Sequence, residues 1–309
     1  MNMTELRFQA LPNATEKEAD VLILPVPLES TVSYKLGTRS GPEAILAASE
    51  QLEYYEEDGG WCPFRHMDVG VLSAMNKRLH EGEGEFHERL RARVAELPAA
   101  GSLFLALGGE HSITPAMVRA RMPGPGTVVL LDAHADFRRV YEGTEHSHAC
   151  PMHHVRENGH EIIMIGIRSI FEEEAERIAA DPGVHLYRDR SLQRRDVWEQ
   201  LLAQLRALTG PAYLTIDMDG FDPSLVSGVG TPQPGGLSWF QVLEIVDACM
   251  GNEGVDWRGA DIVEAIGEPT RVTDMTGAKL AHKIISGWGL RHGYDRRPAN
   301  GPQTRVDYD

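Results

Sequence analysis

Three short apolar runs each end in residues that can hold a metal ion, and few folds are open to a chain that repeats this pattern. Leu103-Phe104-Leu105-Ala106-Leu107 runs into Gly108-Gly109-Glu110-His111-Ser112, and Thr127–Leu131 runs into Asp132-Ala133-His134-Ala135-Asp136. Ala212-Tyr213-Leu214-Thr215-Ile216 runs into Asp217-Met218-Asp219-Gly220-Phe221-Asp222-Pro223. Unbroken apolar runs of this length read as strands buried on both faces, the signature of a parallel sheet covered by helices. Loops that leave the carboxyl ends of parallel strands open onto one crevice, where such sheets bind ligands. The pattern therefore gathers His111, Asp132, His134, Asp136, Asp217 and Asp219 at one place.

The same alternation runs along the whole chain. Strands are expected at 21–26, 67–72, 162–167, 184–187 and 260–265, besides the three above. Helices are expected at 42–52, 85–97, from about Ile113, and at 171–180, 197–208, 239–250 and 275–288. This predicts an α/β fold with a mostly parallel sheet of about eight strands. No low-complexity linker divides the chain, so residues 1–309 read as one domain, with 1–20 and 295–309 peripheral or mobile.

Composition narrows the function. Thirty basic against 46 acidic residues give a formal charge of −16, which argues against nucleic acid or an anionic membrane as partner and suits a small cation. No run approaches the ~20 apolar residues of a membrane span, and the first residues lack the pattern of a secretory signal. Three widely spaced cysteines, Cys62, Cys150 and Cys249, suit free thiols in a reducing compartment, so a cytoplasmic location is expected.

Alone, Asp132-x-His134-x-Asp136 also fits a hydrogen-bonded turn; the other two clusters shift the balance. Four carboxylates and two imidazoles are too many ligands for one catalytic zinc and contain no thiolate. They suit two divalent ions, Mn²⁺ by its taste for mixed oxygen and imidazole ligands, bridged by Asp132 and Asp217. Four aspartates cancel two dications, and a bridging hydroxide makes the centre negative, which again favours a cationic substrate.

These motifs, with Gly230-Thr231-Pro232 and Pro234-Gly235-Gly236, resemble the arginase and agmatinase family of ureohydrolases. Ser30-Thr31-Val32-Ser33-Tyr34, Gly37-Thr38-Arg39-Ser40-Gly41-Pro42 and Leu52-Glu53-Tyr54-Tyr55 resemble the agmatinase branch in particular, and the similarity runs from about residue 21 to 288. The resemblance implies a three-layer α/β/α domain assembled into trimers or hexamers. It implies one manganese on His111, Asp132, Asp136 and Asp217 and a second on Asp132, His134, Asp217 and Asp219. It also favours His148 as proton shuttle over its neighbours His146, His153 and His154, each of which reads as a surface histidine. Glu264, at the end of the last strand, would pair with a guanidinium, and Asp136 would orient the bridging hydroxide.

The expected reaction is hydroxide attack on a guanidinium carbon, converting agmatine to putrescine and urea. No asparagine lies in 137–141 to hold the carboxylate and amine of arginine. Arg138 and Arg139 instead leave open guanidinobutyrate or guanidinopropionate, and arginine and free guanidine complete the set of alternatives. A dinuclear phosphoesterase and a non-catalytic relative that binds metal or polyamine are the readings outside this class. Three departures from the family pattern stand out: Glu110 where many relatives have aspartate, Ser227-Gly228-Val229, and Ala265-Ile266-Gly267-Glu268-Pro269 after Glu264.

Overall fold

The computed structural model describes residues 6–98 and 101–299. In chain order the strands are β1 (Val21–Val26), β2 (Val69–Val71), β3 (Leu103–Gly108), β4 (Thr127–Leu131), β5 (Glu161–Ile167), β6 (Val184–Arg188), β7 (Gly210–Asp217) and β8 (Val255–Val263). The helices are α1 (Gly41–Ser49), α2 (Glu83–Ala95), α3 (Thr114–Arg121), α4 (Pro151–Glu157), α5 (Glu172–Ala180), α6 (Asp189–Leu192), α7 (Arg195–Arg206), α8 (Trp239–Met250) and α9 (Val272–Arg291). The strands form one sheet in the order β2-β1-β3-β8-β7-β4-β5-β6, with every neighbouring pair parallel.

Side chains alternate between the two faces of the sheet, and this alternation divides the core in two. Val21, Ile23, Leu103, Leu105, Val129 and Leu131 pack with Ile45 of α1, Leu205 of α7, Ile245 of α8 and Ile284 of α9. Leu22, Leu24, Phe104, Ala106, Val128 and Leu130 pack with Leu90 of α2, Met117 of α3, Met152 of α4 and Ile178 of α5. Helix, sheet, helix is thus the three-layer arrangement expected.

Boundaries differ where the sequence pattern changes character. β8 begins at Val255, earlier than expected, because Val255-Asp256-Trp257-Arg258 alternates buried and exposed residues before the buried run 259–263. The seven-residue α4 is too short to show a helical period and was not anticipated. Of the stretches expected to be peripheral or mobile, 1–5 and 300–309 lie outside the described residues. Within 6–20, Phe8 and Leu11 are buried in the core, and the Gln9 backbone donates to Ser49 Oγ at 2.8 Å.

The acidic patch Glu56-Glu57-Asp58 is anchored on α9. The buried Lys283 ammonium donates to Glu56 and Asp58 and lies 3.2 Å from Glu57. Lys283→Met would leave the Glu56 carboxylate buried without its cation, so a loss of about 3–5 kcal/mol is expected. The check is a lower denaturant midpoint at unchanged m.

Candidate active site

Four adjacent strands at the centre of the sheet, β3, β8, β7 and β4, supply the site from their carboxyl ends. His111 follows β3, Glu264 follows β8, Asp217 and Asp219 close β7, and Asp132, His134 and Asp136 follow β4. At Gly109 a Cβ would meet Leu28 O at 1.9 Å, so only glycine lets the β3 loop turn His111 inward here.

The six predicted ligands form two overlapping groups. Ligand atoms of His111, Asp132, Asp136 and Asp217 lie within 4.8 Å of one another, as do those of Asp132, His134 and Asp219. His111 Nδ1 is 3.0 Å from Asp136 Oδ2, 3.3 Å from Asp132 Oδ2 and 3.5 Å from Asp217 Oδ2. His134 Nδ1 is 2.9 Å from Asp219 Oδ2 and 3.7 Å from Asp132 Oδ1. Asp132 therefore reaches both groups, one oxygen toward each. Asp217, expected in both, lies by distance with the first group; its Oδ1 accepts the Asp219 N–H at 2.8 Å and keeps a second lone pair.

The chemistry of this donor set calls for dications. His111 Nε2 lies 3.0 Å from Thr215 Oγ1, whose own hydrogen goes to Asp261 Oδ1 at 2.5 Å. Thr215 can then only accept, so the imidazole hydrogen sits on Nε2 and the Nδ1 lone pair points at three carboxylates. That arrangement is repulsive unless positive charge lies between them. Burial opposes charge on His111, yet Asp132 and Asp136 push its pKa well above the imidazole range. Burial likewise opposes charge on His134, but Asp132 and Asp219 raise it to about 11. Burial and the Asp132 charge raise Asp136 to about 7, and burial with Asp219 and Asp132 drives Asp217 well up. Asp132 Oδ2 is buried and accepts no hydrogen bond among the described residues. An orphaned acceptor among crowded carboxylates fits a pair of metal ions.

Glu264 and Asp136 both adopt left-handed backbone, φ 62° and 47°. Such conformations cost roughly 1–2 kcal/mol outside glycine and recur where a site requires them. Glu264 Oε1 accepts the His111 N–H at 2.7 Å, leaving Oε2 for the cavity. Burial and the nearby Glu110 charge raise the Glu264 pKa well above its usual range.

A cavity of about 360 Å³ opens over the metal-binding groups. His148, Glu264, Asp136, Asp217 and Asp219 line it, with Tyr141, Ile170 and Phe171 as apolar walls. His146 and His154 line a separate cavity, and His153, read as a surface histidine, is buried, its Nδ1 2.9 Å from Arg177 Nη2. Arg138 also lines the main cavity, stacked 4.4 Å over Phe171 and 5.0 Å over Tyr141, whereas Arg139 is exposed.

Comparison with known proteins fixes the lineage. The family model described as the arginase family matches residues 19–287. The chain belongs to the arginase family. It is 38% identical over 284 residues to the N(1)-aminopropylagmatine ureohydrolase of Synechocystis, covering 88% of this chain and 90% of that one. It is 32% identical to the agmatinase of Pyrococcus horikoshii, covering 89% and 94%. The agmatine ureohydrolase structure of Thermoplasma volcanium superposes with TM-score 0.80 at 27% identity, covering 94% of this chain and 97% of that one.

Two of this arginase-family chain's departures from the usual pattern turn out to be partners. Ile266 N donates to Gly228 O at 2.7 Å, Ser227 Oγ donates to Glu268 Oε1 at 2.9 Å, and Val229 bridges Ala265. Ala265 and Ile266 are buried and back the pocket without lining it. Each altered stretch therefore contacts the other.

Sequence reasoning missed the groups behind the ligands. Arg168 clamps the loop after β7 through Asp219 O at 2.6 Å and Phe221 O at 3.0 Å, and Thr231 Oγ1 donates to Asp219 Oδ2 at 3.2 Å. Asp261 carried a readable signal, a lone ionisable residue inside the apolar run of β8. It accepts from Thr215 and from Thr114 Oγ1 at 3.0 Å. Asp261→Asn would free Thr215 to turn its hydrogen toward His111. Metal affinity is expected to fall about 10–100-fold, read by titration of the metal-free protein.

Proposed function

We propose that this chain hydrolyses a guanidino compound to urea and an amine, using two manganese ions, with agmatine or agmatine extended at its amine as substrate. The observation that carries the reading is the convergence, in one cavity, of two metal-binding groups, the Glu264 carboxylate and the His148 imidazole. The named relatives support an amine-ended substrate and widen the expectation from agmatine to its aminopropyl derivative.

Two bound divalent ions would lower the pKa of a shared water toward ~7 and so supply a nucleophile at neutral pH. His111, Asp132, Asp136 and Asp217 would hold one ion, and Asp132, His134 and Asp219 the other. Glu264 Oε2 pairs with the substrate's guanidinium and turns its planar carbon toward the metal ligands. Asp136 accepts a hydrogen bond from the attacking water and orients it. Tyr141, Ile170 and Phe171 exclude solvent along the polymethylene tail. His148 gives its proton to the departing nitrogen as the carbon–nitrogen bond breaks. Assembly into trimers or hexamers and a cytoplasmic location belong to the same proposal.

Arg138 favours a second reading. Among the described residues its guanidinium forms no ion pair, and a carboxylate-ended guanidine such as guanidinobutyrate would supply one. Urea release from the manganese-loaded protein over agmatine, N(1)-aminopropylagmatine, guanidinobutyrate, guanidinopropionate, arginine and guanidine decides between them. Activity is expected on the amine-ended pair. Preference for guanidinobutyrate selects the second reading, and no urea from any substrate with two metals bound overturns both.

A further inference from the structure

Behind His148 stands a short chain of polar groups that no step above uses. Thr31 Oγ1 accepts the His148 backbone N–H at 3.0 Å, donates to Glu110 Oε1 at 3.0 Å and lies 3.2 Å from His148 Nδ1. Glu110 is fully buried and is surrounded by donors. Its Oε2 accepts Ser30 N at 2.7 Å and Thr31 N at 2.8 Å, and its Oε1 also accepts Ser112 Oγ at 2.7 Å.

A hydroxyl has one hydrogen and two lone pairs. The Thr31 hydrogen is committed to the carboxylate, and one lone pair is committed to the His148 backbone. The remaining lone pair meets Nδ1, so the ring hydrogen must reside there. Nε2 is left toward the cavity, with Ser33 Oγ as its neighbour at 3.4 Å. The other group near Nδ1 is Ser147 Oγ, longer at 3.4 Å and itself accepting from Ala149 N at 3.3 Å. Tyr141 packs edge-on against the ring at 5.8 Å and restrains its tilt.

We infer that Glu110 and Thr31 are positioning residues for His148: the buried carboxylate orients the threonine hydroxyl, which holds one ring hydrogen on Nδ1 and leaves Nε2 facing the cavity to take up a proton from solvent and pass it to the leaving nitrogen. This rests on the reading of His148 as the proton donor. It also gives the Glu110 departure a role: among the described residues its side chain bonds to the 30–31 loop and to Ser112, not to the His111 ring.

The test is a double-mutant cycle on the manganese-loaded enzyme, with metal content measured for every variant. Thr31→Val is expected to lower kcat about tenfold or more, the size usual for a group that orients a reacting residue, with little change in KM. Thr31→Ser, which keeps the hydroxyl, is expected to recover most of that loss. In a His148→Ala background, Thr31→Val should cost almost nothing, because its effect passes through the missing ring. Equal cost in both backgrounds, or failure of serine to recover the rate, overturns the relay alone. A wild-type rate in His148→Ala overturns the proton-donor reading and the relay with it.

Discussion

Asp217→Asn should abolish nearly all urea release while leaving the metal-free protein at least as stable as before. A ligand oxygen is lost but the shape is kept, and asparagine Oδ1 can still accept the Asp219 N–H. Turnover is expected to fall by about 10³-fold, the scale seen when a main source of charge stabilisation is removed. Metal content should drop below two per subunit. The stability half follows from sign. Burial, then the charges of Asp219 and Asp132, hold the Asp217 carboxyl well above its ordinary pKa. A carboxyl whose folded value exceeds the unfolded ~3.9 binds its proton more tightly in the native state. Its favourable contribution is complete below the unfolded value and is lost as pH rises above it. At neutral pH the metal-free wild type carries this cost and the asparagine variant does not. Thermal unfolding in chelator, beside urea assays with manganese, reads both halves; two bound metals with undiminished turnover would refute the assignment.

His148→Ala is expected to lower kcat by about 10²–10⁴-fold, the range of a positioned acid or base. Metal content should stay at two, since His148 belongs to neither metal-binding group. KM should change little, because in the proposed mode Glu264 and the cavity walls, not His148, would hold the substrate. Burial depresses the His148 pKa below the ordinary imidazole value, although the Glu110 charge opposes the shift. Steady-state kinetics with metal analysis checks the prediction, and a rate near wild type would return the role to another group in the cavity.

Much of this was legible in advance because parallel strands buried on both faces leave an unmistakable trace. The runs at β3, β4 and β7 announced themselves, and the ligands follow them directly. What could not be read lay in contacts between distant segments. Nothing local in Thr31 says that it meets His148, since the meeting depends on the loop after β1 packing against both the loop after β4, which carries His148, and the loop after β3, which carries Glu110. The pairing of 227–229 with 265–268 is equally non-local. His153 misled because a short polar helix disguises a buried position beside Phe137. Asp261 was a clue passed over: a carboxylate within a buried strand needs donors, and Thr114 and Thr215 supply them.

The last strand of the sequence is not an edge strand, for β8 slots between β3 and β7. During synthesis the chain would therefore carry a split sheet, with His111 on one side of the gap and Asp132 and Asp217 on the other, until residues near 263 leave the ribosome. Metal loading would wait for that insertion, and a chain cut short before β8 would hold all six candidate ligands in sequence yet lack the strand between the two halves that carry them.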